Sequence, residues 1–213
     1  MTDGGGSTET EIKRIVSDLG GGAHFLGTFD KRFPGFIREQ APATAIVNTA
    51  GRETGGVHWL AFGWDPRSRT VTMFEPYGFA DHKLQQIYQF EYDGMLKRSA
   101  LGQGDGQRCV ELVKSSESVQ GPRSAACGLF CCLFMAAFEA NMTNPLGDAN
   151  PVFGPVKGVP NSQLKSPAAQ PTLRANQEYL YRYLSSHSPY FRQNEDRIRA
   201  ATAFDKLPFT PQI

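Results

Sequence analysis

A run of apolar residues past the middle of the chain constrains the fold more than any other feature. From about Ser124 to Asn141 the sequence predicts a helix whose side chains are apolar on nearly every face. A helix that is apolar all round has no face for water, so we expect it to be the buried central helix. Ser124 is expected to cap it, which places Cys127 in its first turn. Its apolar members are Leu129, Phe130, Cys131, Leu133, Phe134, Met135 and Phe138.

Cys127 at the start of that helix is a candidate nucleophile. A thiol there meets backbone N–H groups that lack intrahelical partners, and it meets the positive end of the helix dipole. Both favour the thiolate, which is the reactive form of cysteine. A small buried core residue is an equally open interpretation of Cys127. Cys131 lies one turn further on, but no second His or Cys pair has ligand spacing, so no metal is expected and Cys131 and Cys132 are assigned to the core.

Composition gives little support to several classes of function. The net charge of +1 at pH 7 gives no overall electrostatic argument for binding nucleic acid or a membrane. Local basic pairs, such as Lys31-Arg32 and Lys97-Arg98, are interpreted as solvated surface. Four cysteines are too few for a disulfide scaffold, which favours a reducing environment. No segment has the roughly 18 consecutive apolar residues that a membrane span requires.

The order of segments predicts one domain over residues 1–213, since this length and an apolar content of 40% suit a single core. We expect a Gly-rich leader over residues 1–7, a long irregular segment over 144–171 and a tail over 205–213. Strands are predicted at residues 43–49, 57–64, 69–75 and 109–113. Helices are predicted after a capping box at Thr8 and Glu11, over 81–97, from 171, and over 188–202.

Two of those strands predict a hairpin that carries a base and an acid. If residues 65–68 form the loop and Trp64 pairs with Arg69, antiparallel pairing puts His58 directly opposite Glu75. A carboxylate there accepts the imidazole N–H, fixes the tautomer and leaves the other ring nitrogen to take a thiol proton. Taken alone, His58 would be interpreted as a packed histidine, and Glu75 as an exposed charge at the end of a strand. Together with Cys127 they predict a cysteine hydrolase.

Gln120 completes this candidate site. It precedes Cys127 by seven residues, next to a Gly-Pro turn. Its side-chain amide and the backbone N–H of Cys127 could donate to the oxyanion that forms during acyl transfer. A solvent-exposed turn glutamine is the alternative interpretation of Gln120.

Seven stretches of the chain resemble the adenovirus protease family of cysteine endopeptidases. The resemblance covers nearly the whole chain, from about residue 12 to 204. Its stretches are residues 25–36, 45–59, 74–79, 118–122, 125–132, 158–162 and 187–192.

The resemblance implies an α+β fold, with a central mixed β-sheet flanked by helices on both sides. It implies the family order of His, acid, Gln and Cys, shared with the proteases of ubiquitin-like proteins, on His58, Glu75, Gln120 and Cys127. Family members cut viral capsid and core precursor proteins at Gly-containing sites during virion maturation, so we expect a virion and host-nucleus protein. Removal of ubiquitin-like tags and a non-catalytic virion DNA-binding protein are the alternatives.

The resemblance also implies activation by two partners. One is a short basic viral peptide from the C-terminus of a capsid precursor, joined by a disulfide to the position that Cys109 occupies. The other is viral double-stranded DNA, bound without sequence preference through local basic patches. From the residues themselves, Cys109 lies on a short strand after a Gly-rich loop, where an exposed edge would accept an extended peptide. We expect a monomer without a metal, a small-molecule cofactor or a membrane partner.

Overall fold

The central helix is present and is buried over nearly its whole length. A computed structural model describes residues 6–36, 40–54, 57–101 and 109–208. In it the helix runs over Cys127–Ala140, and every side chain from its first residue to Phe138 is buried. The prediction of Ser124 as its cap was wrong, because the N-cap is Ala126 and makes no side-chain cap bond. Instead the Ser124 hydroxyl accepts the N–H of Ala126, one step before the helix.

Five strands form a mixed sheet in the order β1-β2-β3-β4-β5. β1 and β2 are parallel, β3 is antiparallel to both β2 and β4, and β4 and β5 are parallel. A second, two-stranded antiparallel sheet joins β6 and β7. The strands are β1 (Phe25–Phe29), β2 (Ala43–Asn48), β3 (Trp59–Asp65), β4 (Thr70–Phe74), β5 (Glu111–Lys114), β6 (Glu117–Ser118) and β7 (Val159–Pro160). The sequence predictions missed β1.

Helices cover both faces of the larger sheet, as the resemblance implied. On one face Phe74 stacks on Phe134 of the central helix, with ring centroids 5.7 Å apart. On the other face Phe62 and Trp64 belong to a second cluster of buried side chains. Because successive strand residues point to opposite faces, a strand with both faces covered is buried throughout, as β2 and β4 are.

Seven α-helices lie in the described residues, and two predicted helices are each divided. The helix predicted over 81–97 breaks at Gln89, which is left-handed with φ 51°. The helix predicted over 188–202 breaks at Asn194. The capping box at Thr8 and Glu11 is confirmed. The helices are α1 (Glu9–Asp18), α2 (Asp81–Tyr88), α3 (Asp93–Leu101), α4 (Cys127–Ala140), α5 (Gln170–His187), α6 (Pro189–Gln193) and α7 (Glu195–Ala201).

Some predictions fall outside the part of the chain that the structure describes. These are the leader up to residue 5, the Gly-rich loop that precedes Cys109, over 102–106, and the tail from residue 209. The assignment of the whole chain to one domain stays a prediction. Among the helices of the described residues, none combines the length and the apolar character needed to cross a membrane.

The predicted register of the β3–β4 hairpin was wrong. Asp65 pairs with Thr70 and Trp64 pairs with Val71, so the four-residue loop starts one residue later than expected. The Asp65 carboxylate accepts the backbone N–H of Arg67 at 3.0 Å, which holds the turn after β3 has ended. In the observed register Glu75 is not directly opposite His58.

Candidate active site

His58 and Glu75 meet although their predicted pairing was wrong. His58 directly precedes β3 and Glu75 directly follows β4. His58 Nε2 lies 2.6 Å from Glu75 Oε1, and both side chains are buried. The register differs from the prediction by two residues, which makes the pair diagonal neighbours on one face of the sheet. A buried carboxylate at this distance fixes the imidazole tautomer by accepting its Nε2–H.

Two backbone N–H groups and one serine hydroxyl hold Glu75 in place by hydrogen bonds. Its carboxylate accepts the backbone N–H groups of Tyr77, at 3.0 Å, and Phe79, at 2.5 Å. The Ser115 hydroxyl, just past β5, accepts the Glu75 N–H at 2.8 Å and donates to the Glu75 carbonyl at 3.1 Å. Gly78 closes this turn with φ 64°, where a Cβ would lie 2.5 Å from the backbone of Glu117. The turn therefore presents the carboxylate rigidly to the imidazole.

Cys127, the first residue of α4, lies beside the His58 ring. The side chain is 8% exposed, so only a small part of it reaches the surface. Glu75 occupies Nε2, which leaves Nδ1 for the interaction with the thiol. Because Cys127 begins the helix, its own backbone N–H has no intrahelical acceptor and faces outward from the helix end.

The electrostatic state of His58 follows from these neighbours. Burial acts to lower the pKa of His58, but the interactions of its ring with Cys127 and then with Glu75 outweigh burial and raise the pKa to about 9. An imidazole with this pKa is protonated at neutral pH. It can therefore pair with a thiolate and later supply a proton to a leaving group.

Two tyrosines enclose the imidazole. The Tyr77 and Tyr88 rings stack on His58, with centroids 5.1 Å and 5.2 Å from it and interplanar angles of 23° and 17°. Aromatic faces carry negative charge density, so this arrangement stabilises a protonated ring. Neither tyrosine was predicted to belong to the site, because no local sequence pattern indicates that their rings stack on His58.

Gln120 is buried, so its alternative interpretation as a solvent-exposed turn residue was wrong. Its Nε2 donates to the carbonyl of Ser124 at 2.7 Å and to the Tyr77 hydroxyl at 3.1 Å. Its Oε1 is buried and has no hydrogen-bond partner in the described part of the chain. Its role as an oxyanion donor stays a prediction.

The other cysteines separate into two environments. Cys109 is a free, exposed thiol two residues before β5. Cys131 and Cys132 are fully buried in α4, and burial raises the pKa of each well above its ordinary value. The described residues contain no group of three or more His, Cys, Asp or Glu side chains that could hold a metal ion.

A thiol, an imidazole and a buried carboxylate thus lie together at one helix N-terminus, which is the set of groups that a nucleophilic hydrolase uses when a third group orients the base. The chain belongs to the adenovirus endoprotease family, which it matches over residues 25–206. It is therefore a viral peptidase.

Relatives in several adenoviruses carry the name protease. The chain is 62% identical over 204 residues to the protease of human adenovirus B serotype 3, a match that covers 96% of both chains. It is 60% identical over 202 residues to that of human adenovirus D serotype 9, covering 95% of this chain and 96% of the relative. It is 55% identical over 202 residues to that of bovine adenovirus B serotype 3, covering 95% of this chain and 98% of the relative.

Proposed function

We propose that the chain is a cysteine endopeptidase in which Cys127 is the nucleophile, His58 the base and general acid, and Glu75 the group that orients the imidazole. The observation that carries this proposal is the 2.6 Å bond between His58 and Glu75, together with the interaction of the same imidazole with Cys127. The raised pKa of His58 supports a resting thiolate–imidazolium pair.

The reaction follows from the groups in contact. The thiolate attacks the carbonyl carbon of the scissile bond, and the carbonyl electron pair moves to oxygen. The Cys127 N–H and the Gln120 amide are the proposed donors to that oxyanion. The carbon–nitrogen bond then breaks as His58 gives its proton to the leaving amine, which leaves a thioester. Water, losing a proton to His58, hydrolyses the thioester and releases the acid product.

Hydrolysis of a Gly-containing peptide tests this assignment. Cys127→Ala should abolish cleavage and His58→Ala should nearly abolish it. Cys131→Ala removes a buried thiol one helical turn further on and serves as the matched control, which should retain turnover. Wild-type turnover in Cys127→Ala would show that another group is the nucleophile.

Labelling with iodoacetamide separates a catalytic thiol from a core thiol. At about pH 7, Cys127 should be alkylated faster than the exposed Cys109, because only the thiolate reacts. Cys131 and Cys132 should remain unlabelled in the folded protein, since burial keeps them neutral and inaccessible. Resistance of Cys127 to labelling would support the non-catalytic alternative, which the family assignment does not favour.

The proposed substrates are viral capsid and core precursors with Gly-containing cleavage sites, processed in the virion and the host nucleus. The match to adenovirus proteases supports this proposal. A capsid-precursor peptide and a ubiquitin-derived substrate, compared by kcat/KM, distinguish it from removal of ubiquitin-like tags. Preference for the ubiquitin-derived substrate would favour the second activity.

An activating basic peptide, linked by a disulfide to Cys109, is proposed to extend the sheet at β5. Two observations support it: Cys109 is exposed, and β5 ends the strand order of the larger sheet. An edge strand offers unpaired backbone groups to an extended peptide. Ser115 follows β5 and holds the backbone of Glu75, so an added strand would lie close to the acid. Cys109→Ser should abolish the covalent link and leave activity dependent on the peptide concentration.

Double-stranded DNA is proposed as the second activator, through phosphate contacts. Several arginines that could serve are already paired, since Arg197 contacts Glu11, Arg199 contacts Glu178, and Arg32 contacts Asp30. Peptide hydrolysis with DNA at several salt concentrations tests the proposal, because phosphate contacts weaken as salt rises. Activation that is independent of ionic strength would contradict it.

A further inference from the structure

The carbonyl of Ser124 is the meeting point of two side chains from different parts of the fold. It accepts Gln120 Nε2 at 2.7 Å and the Tyr77 hydroxyl at 3.3 Å. Ser124 is fully buried and lies three residues before Cys127, in the loop that leads into α4. A shift of the Ser124 carbonyl would therefore move both Gln120, the proposed oxyanion donor, and the loop that precedes Cys127.

Tyr77 contacts the acid, the imidazole and the proposed oxyanion donor. Its backbone N–H donates to the Glu75 carboxylate at 3.0 Å, and its ring lies on one face of His58. Its hydroxyl accepts Gln120 Nε2 at 3.1 Å. Burial raises the pKa of Tyr77 well above its ordinary value, so the hydroxyl stays protonated and can donate and accept at once.

The contacts of Gln120 define the orientation of its amide. Gln120 Nε2 lies 2.7 Å from the Ser124 carbonyl oxygen. If the amide were flipped, Gln120 Oε1 would take the place of Nε2, and the two oxygens would repel each other at that distance. The Tyr77 hydroxyl supplies a second acceptor and restricts rotation of the amide plane. The amide oxygen has no partner in the described residues, so these two bonds alone hold the group.

We propose that Tyr77 is a positioning residue whose hydroxyl holds the Gln120 amide in a fixed position relative to Cys127. This inference rests on the proposed peptidase mechanism. It predicts that the hydroxyl acts on turnover through Gln120, while the ring and the backbone N–H act on His58 and Glu75 independently of it.

The test is a double-mutant cycle on peptide hydrolysis with Tyr77→Phe, which removes only the hydroxyl. One neutral hydrogen bond is worth about 0.5–1.5 kcal/mol, which corresponds to a fall in kcat of roughly 2- to 10-fold. KM should not change. In a Gln120→Ala background the same substitution should cause a clearly smaller loss, because only the 3.3 Å bond from the hydroxyl to the Ser124 carbonyl remains to be removed.

Tyr179→Phe is the matched control, since that tyrosine on α5 donates a 2.6 Å bond to the carbonyl of Val152, away from the site. It should lower thermal stability without lowering kcat. An unchanged or increased kcat in Tyr77→Phe, or an equal loss with and without Gln120, would overturn the inference. Loss of cleavage in Cys127→Ala, measured in parallel, tests the proposed function separately, so each can fail without the other.

Discussion

Replacing Cys127 by Ala should shift the titration of His58 toward lower pH. The imidazole pKa is raised from 6.5 to about 9, and among the interactions that raise it the largest involves Cys127. A shift of this size represents about 3 kcal/mol of preference for the protonated ring in the folded state. Because the folded pKa lies above the unfolded value, this stabilisation is fully present below about pH 6.5 and is lost as pH rises through about 9.

Two measurements follow that titration. NMR of the four histidine rings, assigned by substitution, should show His58 protonated up to about pH 9 in the wild type and to a lower pH in Cys127→Ala. Denaturant unfolding between pH 7 and 10 should show a smaller loss of stability in the variant. Cys131→Ala, which removes a different buried thiol, should leave the His58 titration unchanged. A wild-type His58 that titrates near 6.5, or one unaffected by loss of Cys127, would refute the reasoning.

The remaining predictions concern the rate, the acid and the core. Peptidase activity should fall as pH rises through about 9, because His58 loses the proton it gives to the leaving amine, and a pH–rate profile checks this. Ser115→Ala removes both bonds to the backbone of the acid and should lower kcat several-fold, whereas the exposed Ser116→Ala should not. Gly63→Ala would place a methyl 2.5 Å from the Phe138 ring and should cost about 1–3 kcal/mol in denaturant unfolding, because the core is close-packed there.

Local sequence patterns predicted those elements whose signals lie within a few residues. The buried α4 follows from side chains that are apolar on every face, and the start of α1 follows from Thr8 and Glu11 three residues apart. The strands β2, β3 and β4 follow from short apolar runs between turn residues. Cys127 and its position in the first helical turn required no knowledge of tertiary contacts.

The hairpin shows where a local pattern stops being sufficient. Asp65 is the last residue of β3, where it pairs with Thr70, and its carboxylate also accepts a hydrogen bond from the turn. The sequence alone did not show whether Asp65 belongs to the strand or to the loop. Arg69 adopts the left-handed region at φ 57°, an uncommon choice for a non-glycine residue. The resulting register shift was even, so the face that carries His58 was predicted correctly from an incorrect pairing.

Contacts between distant residues had no sequence signal. Tyr77 and Gln120 are 43 residues apart, and no periodicity links a turn after a strand to a loop before a helix. The break of a predicted helix at Gln89 is similar, since tertiary packing overrides a weak local preference for helix there. The candidate nucleophile, base and acid were therefore predictable, but the residues that hold them were not.

The two tyrosine rings that enclose His58 have a consequence for its motion. A half-turn of the imidazole about the Cβ–Cγ bond would break the 2.6 Å bond to Glu75 and the stacking on both neighbouring rings, whose centroids lie 5.1 Å and 5.2 Å away. Such a rotation would exchange Nδ1 with Cδ2 and Nε2 with Cε1, so each partner would face a ring carbon instead of a nitrogen. The folded structure therefore opposes this rotation before substrate arrives, so less entropy has to be lost in aligning the ring during each catalytic cycle.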